Sequence, residues 1–429
     1  MQELYTWAKR QQLTGKTGDS PPVDSDAASR SANAFDSEIA LLAIPALAAL
    51  AADPAASLVD TAFLGRIGSV QVAASGAAIS ITNSAQKLLN VPLLAVTTNT
   101  IASADGRQGE DERAVSSASS AALALALIIG ILQAAALLIL SKPALAAWGI
   151  PASSPLRADA LTYLQIKAFG APALVVLFVL QGAFRGLGDT RTPLYATLFC
   201  NAVNIAFNYM LLFVFHWGIA GSAWATVGAE ALTAVALVVA LHRLHPLRIP
   251  GREDWSSLKG FAGPVGLLAL RTVALTATFA LATAMAARSD VAHAASHQIC
   301  LQMWLASSLL ADALAVAAQT LVARLLASGR ADSARAVSRR VIRLGLLLGG
   351  ILAAGMALGT RPLISTFTQD SSVRAASLTI FPLVALTQPL NALAFVWDGV
   401  LYGAGGFSYA AKAMPKDARE QDLLDAKSR

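Results

Sequence analysis

Residues 115–141 read Val115-Ser-Ser-Ala-Ser-Ser-Ala-Ala-Leu-Ala-Leu-Ala-Leu-Ile-Ile-Gly-Ile-Leu-Gln-Ala-Ala-Ala-Leu-Leu-Ile-Leu-Ser141, 27 positions without a charged side chain. About 20 mostly apolar residues in a helix cross the roughly 30 Å hydrocarbon core of a bilayer, so this stretch is long enough to span one. It shows no two-residue alternation, which argues against a barrel strand. Its Ala, Gly and Ser let helix backbones approach closely in lipid. Working outward with the same ruler gives ten predicted spans: 39–64, 72–102, 115–141, 161–184, 193–215, 219–241, 260–287, 291–322, 342–360 and 376–404. The fold class is an all-α polytopic membrane protein.

Composition agrees. The 429 residues are 55% hydrophobic and 14% charged, against about 25% charged in soluble domains. Disorder and a nucleic-acid partner are excluded on that ground, and the lipid bilayer is the first expected partner. Cys200 and Cys300 sit alone in apolar runs, which gives neither a disulfide framework nor a metal cluster. Placing the N-terminus in the cytosol puts 23 Lys and Arg in inside segments and six in outside ones, the bias that sets orientation.

The expected organisation is a flexible tail over 1–36, an N-terminal six-helix lobe over 37–245 and a cytoplasmic linker over 246–258. A C-terminal lobe over 259–409 follows, with four recognisable spans, and then a polar tail over 410–429. The lobes repeat one another. Phe178-Val-Leu-Gln-Gly-Ala-Phe-Arg-Gly-Leu-Gly188 aligns with Phe395-Val-Trp-Asp-Gly-Val-Leu-Tyr-Gly-Ala-Gly405, and Ala73-Ala-Ser75 with Ala294-Ala-Ser296. Pro45 aligns with Pro264. Six spans per repeat is an even number, so two pseudo-symmetric helix bundles of the same topology are expected, the second incomplete by two helices. Their axis would run along the membrane normal, with a central site between them.

The chain resembles the multidrug and toxic compound extrusion (MATE) transporters, in particular the DinF-like branch of plants and algae. The resemblance covers roughly residues 38–410. It rests on Pro45 with Ser57-Leu-Val-Asp-Thr-Ala-Phe-Leu-Gly65, on Lys87-Leu-Leu-Asn-Val-Pro92, and on Arg185-Gly-Leu-Gly-Asp-Thr-Arg-Thr-Pro193. Asn201-Ala-Val-Asn204-Ile-Ala-Phe-Asn208 and Ala295-Ser-His297-Gln carry it further. It implies cation-coupled antiport by rocking of two six-helix lobes, so the chain reads as lacking the last two helices.

Asp60 is the leading candidate for coupling. A carboxylate inside a span is costly unless protonated, paired or wet, and by default marks an ion path; capping the outer end of the span is the alternative. Pro45 removes a backbone hydrogen bond from the same helix, so a conformational bend is expected there. The resemblance implies that Asn204, Asn208 and Thr226 bond with Asp60. The bland alternative is interhelical glue. Because Asn208 stands where many relatives carry a second carboxylate, one proton per cycle is expected. Asp53, two turns before Asp60 on the same face, is an accessory relay or a structural partner for a base.

Lys87 and Arg271, one in each lobe, suggest a site for carboxylate or phenolate anions; salt bridges to Asp53, Asp60 or Asp312 are the alternative. Gln388 and Asn391 add neutral contacts to that substrate site. His293 and His297 lack acidic companions, so no metal is expected, and His297 has at most an accessory role. Asp189 with Arg185 and Arg191 reads as a structural turn. No paired catalytic constellation is present, so the chain is not an enzyme.

The leading expectation is proton-coupled efflux of a small organic anion, citrate- or phenolic-acid-like, or of a xenobiotic, by alternating access. No cofactor is implied beyond the coupling H⁺, with Na⁺ left open. The alternatives are a non-transporting partner of a full-length transporter, which would oligomerise through the incomplete second lobe, and a lipid-precursor flippase. The plastid envelope is the favoured membrane, ahead of plasma membrane or vacuole.

Overall fold

Thirteen α-helices follow one another in the computed structural model, which describes residues 25–106, 112–248, 255–289, 291–407 and 409. They are α1 (Ser25–Ile67), α2 (Ser69–Ala85), α3 (Val91–Asp105), α4 (Glu112–Ala147), α5 (Arg157–Gly186), α6 (Arg191–Tyr209) and α7 (Gly218–Leu244) in the first half. The second half holds α8 (Trp255–Ser289), α9 (Val291–Ala327), α10 (Ala331–Leu358), α11 (Thr360–Phe367), α12 (Ser371–Leu386) and α13 (Gln388–Gly403). No strand occurs among the described residues. Residues 1–38 and 39–429 are separate units. α1 begins at Ser25, inside the stretch expected to be a tail, where the Ala-rich run 27–34 has high helix propensity. The linker expectation over 246–258 ends in helix at Trp255. Residues 1–24, 249–254 and 410–429, with the rest of those expectations, lie outside the described residues.

Among the described residues, eight helices are long and apolar enough to cross a membrane, and α12 with α13 passes the same test as a pair bent by 47°. Three expected spans depart from a regular straight helix; the fifth, 193–215, ends in a π-turn at Met210–Val214. The second, 72–102, is α2 and α3 joined by a π-turn at Gln86–Asn90; such a turn inserts a residue into the ladder and leaves composition untouched. The tenth, 376–404, breaks at Thr387, where Pro389 at the start of α13 cannot donate back to Ala385. Apolar side chains face outward along the spans, as with Ile131, Leu132 and Ile139 on α4, which suits lipid rather than water.

The repeat is a packing device. Gly182 and Gly186 on α5 lie against the carbonyls of Leu94 and Thr98 on α3, where a Cβ would come within 2.7 and 2.8 Å. Gly399 and Gly403 on α13 meet the carbonyls of Ala315 and Gln319 on α9 in the same way. Gly188 and Gly405 each end their helix at positive φ, 75° and 70°, the left-handed conformation glycine adopts at no steric cost. Asp189 then accepts from the backbone N–H groups of Arg191 and Thr192, both at 2.9 Å, and starts α6.

The two halves are tied at the end that the charge bias places in the cytosol. Asn99 donates to the carbonyls of Tyr402 (2.6 Å) and Gly403 (2.9 Å). Thr320, its counterpart in the repeat, donates to the carbonyl of Arg185 at 3.2 Å. Gln319 donates to Ala95 O at 2.6 Å, and Arg324 pairs with Asp105 at 2.7 Å. The same bond thus recurs in both directions across the pseudo-two-fold axis.

Candidate ion-coupling cavity

A cavity of about 430 Å³ lies within the first half, lined from α1, α2, α5, α6 and α7. Helical spacing builds each wall. On α1, Asp53, Ser57 and Asp60 fall at i, i+4 and i+7 and share one face. On α5, Tyr163, Lys167, Leu174, Phe178 and Gln181 do the same. α6 supplies Cys200, Asn201 and Asn204, and α7 supplies Thr226 and Glu230. Pro54, inside α1 and on the cavity wall, frees a backbone carbonyl one turn earlier.

Asp60 is held at both oxygens. Asn204 Nδ2 donates to Oδ2 at 3.0 Å and Asn208 Nδ2 to Oδ1 at 3.1 Å. Asn208 also donates to Asn204 Oδ1, while its own Oδ1 is buried without a hydrogen-bond partner among the described residues. Four-residue spacing on α6 brings the two amides together. As placed, they receive a carboxylate. A third bond from Asn208 Nδ2, to the Asn204 carbonyl at 3.1 Å, fixes that amide with its N–H groups towards Asp60.

Other candidates stand elsewhere or differently. Thr226 lines the cavity but donates to Ser222 O of its own helix at 3.1 Å. Asp53 faces the cavity and accepts a long contact from Asn201, 3.5 Å. Pro45 lies within an unbroken α1, as does Pro54. Lys87 sits in the π-turn, exposed, with no ion pair among the described residues. Arg271 is engaged inside its own half: it pairs with Asp398 at 2.6 Å and donates to the Tyr402 hydroxyl. Its expected partners were Asp53, Asp60 or Asp312, and Asp398 replaces them. Gln388 and Asn391 are buried against α9, bonded to Ser307 (2.7 Å) and Ser308 (2.9 Å). His297 contacts Thr283 at 3.2 Å. The expected substrate residues are thus not brought together into one pocket. No group of three or more His, Cys, Asp or Glu is placed to hold a metal ion among the described residues.

Sequence reasoning missed Tyr163, Lys167 and Glu230. Lys167 and Glu230 form a buried ion pair of 2.7 Å between α5 and α7 on the cavity wall. The available signal was their charge in mid-span, the rule that singled out Asp60.

Residues 45–210 and 268–414 match the MatE family model. Protein DETOXIFICATION 44, chloroplastic, of Arabidopsis thaliana is 44% identical over 388 residues, which are 88% of this chain and 74% of that protein. Protein DETOXIFICATION 45, chloroplastic, of the same plant is 35% identical over 88% of this chain and 70% of its own length. Among solved structures, the Vibrio cholerae MATE transporter VcmN in its bent form superposes with a TM-score of 0.84 at 19% identity, over 90% of this chain and 87% of that one.

Proposed function

The chain belongs to the MatE family of multidrug and toxic compound efflux transporters, and from that premise we propose that it is a proton-coupled antiporter in which Asp60 carries the proton. The observation that supports this most is the Asp60–Asn204–Asn208 network on a cavity inside one half of a multi-pass membrane protein. A carboxylate in that setting needs a proton, a counter-charge or water, and the two amides direct their N–H groups at its oxygens. The halves, tied at the cytosolic end by Asn99, Gln319, Thr320 and the Asp105–Arg324 pair, are one of the two states that alternating access requires.

For substrate, the cavity favours an organic cation or neutral xenobiotic over citrate. Asp53, Asp60 and Glu230 face Lys167 there, three acids to one base. The anion reading rested on Lys87 and Arg271, and Asp398 neutralises Arg271. Two relatives named chloroplastic support the plastid envelope as the membrane. The test is uptake into proteoliposomes of the full chain under imposed pH and Na⁺ gradients, with ethidium and labelled citrate as probes. Ethidium flux driven by the pH gradient is expected. Flux of citrate alone overturns the substrate class, and flux driven by Na⁺ alone overturns the proton.

A further inference from the structure

The Lys167–Glu230 pair lies on the wall of the Asp60 cavity, and neither partner is fully satisfied. Both side chains are buried, at 6% and 11% exposure. The ammonium carries three donors, yet among the described residues its one hydrogen bond goes to Glu230 Oε1 at 2.7 Å. Glu230 Oε2 is buried with no hydrogen-bond partner among the described residues. A buried ion pair offsets the loss of hydration when further hydrogen bonds satisfy its spare lone pairs and protons, and here they do not.

Its surroundings suit a different task. Asp60 stands within electrostatic reach of Lys167. Tyr163, one turn before Lys167 on the same face of α5, is buried near both Asp60 and Glu230. The other ionisable groups facing the site are Asp53 on α1 and Cys200 on α6, with Arg185 at the end of α5 lying towards Asp53. Lys167 thus bonds Glu230 and lines the same cavity as Asp60, on a flexible four-carbon stem that can reorient within it.

We propose that Lys167 is a built-in counter-charge of the coupling site: it neutralises Glu230 while Asp60 is protonated and is shared with Asp60 once that proton has left. The proton goes from the Asp60 carboxyl to cavity water, and Lys167 stays an ammonium throughout. With Lys167 present, Asp60 and Glu230 together swing by one charge, so the site takes one proton per cycle. Without it, two neighbouring carboxyls compete for protons, as like charges in close quarters do. This rests on the reading of Asp60 as the proton carrier.

The test is a pH titration of the purified full-length protein by infrared difference spectroscopy, following the protonated-carboxyl band, which needs no substrate. In an Asp53→Asn background, which removes the third cavity carboxyl, the otherwise unaltered protein is expected to show one titrating carboxyl in the cavity, identified by its loss in Asp60→Asn. Lys167→Met is expected to show two, the second removed by adding Glu230→Gln. Lys167→Arg keeps one. Should Lys167→Met alone fail to fold, Glu230→Gln and the neutral double variant Lys167→Met/Glu230→Gln decide the matter. The Asp60 band must titrate at lower pH in Glu230→Gln, which keeps an ammonium for Asp60, than in the double variant. An Asp60 band identical in all variants overturns the role of Lys167 and leaves proton coupling standing. A wild-type spectrum with no Asp60 band overturns proton coupling itself.

Discussion

Replacing Gly182 by alanine tests the repeat packing directly. An alanine Cβ there sits 2.7 Å from Leu94 O and 3.2 Å from Thr97 Cβ, closer than the 3.4 Å at which ordinary contact begins. The obstructing atom is a backbone carbonyl within α3, so no rotamer change relieves it and the two helices must separate. Overpacking of this kind costs about 1–3 kcal/mol, while alanine gains about 1 kcal/mol over glycine in a helix interior. Gly76→Ala, where no atom lies within 4 Å, supplies the reference with the gain alone. The two variants should therefore differ by about 1–3 kcal/mol. Thermal unfolding in a single detergent, followed by the loss of the monodisperse species, measures the difference. Gly399→Ala, the equivalent position in the repeat, should fall with Gly182→Ala. Equal stability of Gly182→Ala and Gly76→Ala would refute the close-packing argument.

Other outcomes follow from particular contacts. Asp105 and Arg324, each about one-third exposed, tie the halves with an ion pair worth about 0.2–1 kcal/mol. Arg324→Asp should raise the labelling rate of a cysteine placed between the halves at the cytosolic end, and Asp105→Arg/Arg324→Asp should lower it again; equal labelling in all three would remove the pair from the closure. Asp370 starts α12 outside the spans, where bonds from the Ser372 hydroxyl and the Val373 and Ser372 N–H groups hold its carboxyl below the usual carboxylate range. A folded value below the unfolded one gives stability that is present above about pH 3.9 and lost as pH falls through the folded value. The stability gap between wild type and Asp370→Ala should thus be flat near neutrality and close on acidification; a gap that widens there would contradict the cap.

Much of this was legible in the chain because bilayer crossing leaves a coarse mark. Val115–Ser141 needs no partner to be read as a span, and Phe178–Gly188 against Phe395–Gly405 exposes the repeat because close backbone approach admits glycine alone. The π-turn at Gln86–Asn90 left no compositional trace. The bend at Thr387 had one in Pro389, and the apolar run hid it. In the site, Asp60 with Asn204 and Asn208 was readable from intramembrane charge, four-residue spacing and resemblance. Lys167 and Glu230 lie 63 positions apart, and Arg271 and Asp398 127. Spacing along one helix says nothing about such pairs; charge in mid-span marks each member, and the fold alone matches them.

The central claim is that Asp60 couples transport to protons. Its most direct test is pH-gradient-driven ethidium uptake in proteoliposomes carrying the full chain or its Asp60→Asn variant. The asparagine keeps the size of the side chain and a hydrogen bond with the α6 amides, so the variant should fold. Gradient-driven uptake is expected in the wild type, and its loss in Asp60→Asn. Uptake by a folded Asp60→Asn protein at the wild-type rate under the same gradient would contradict it.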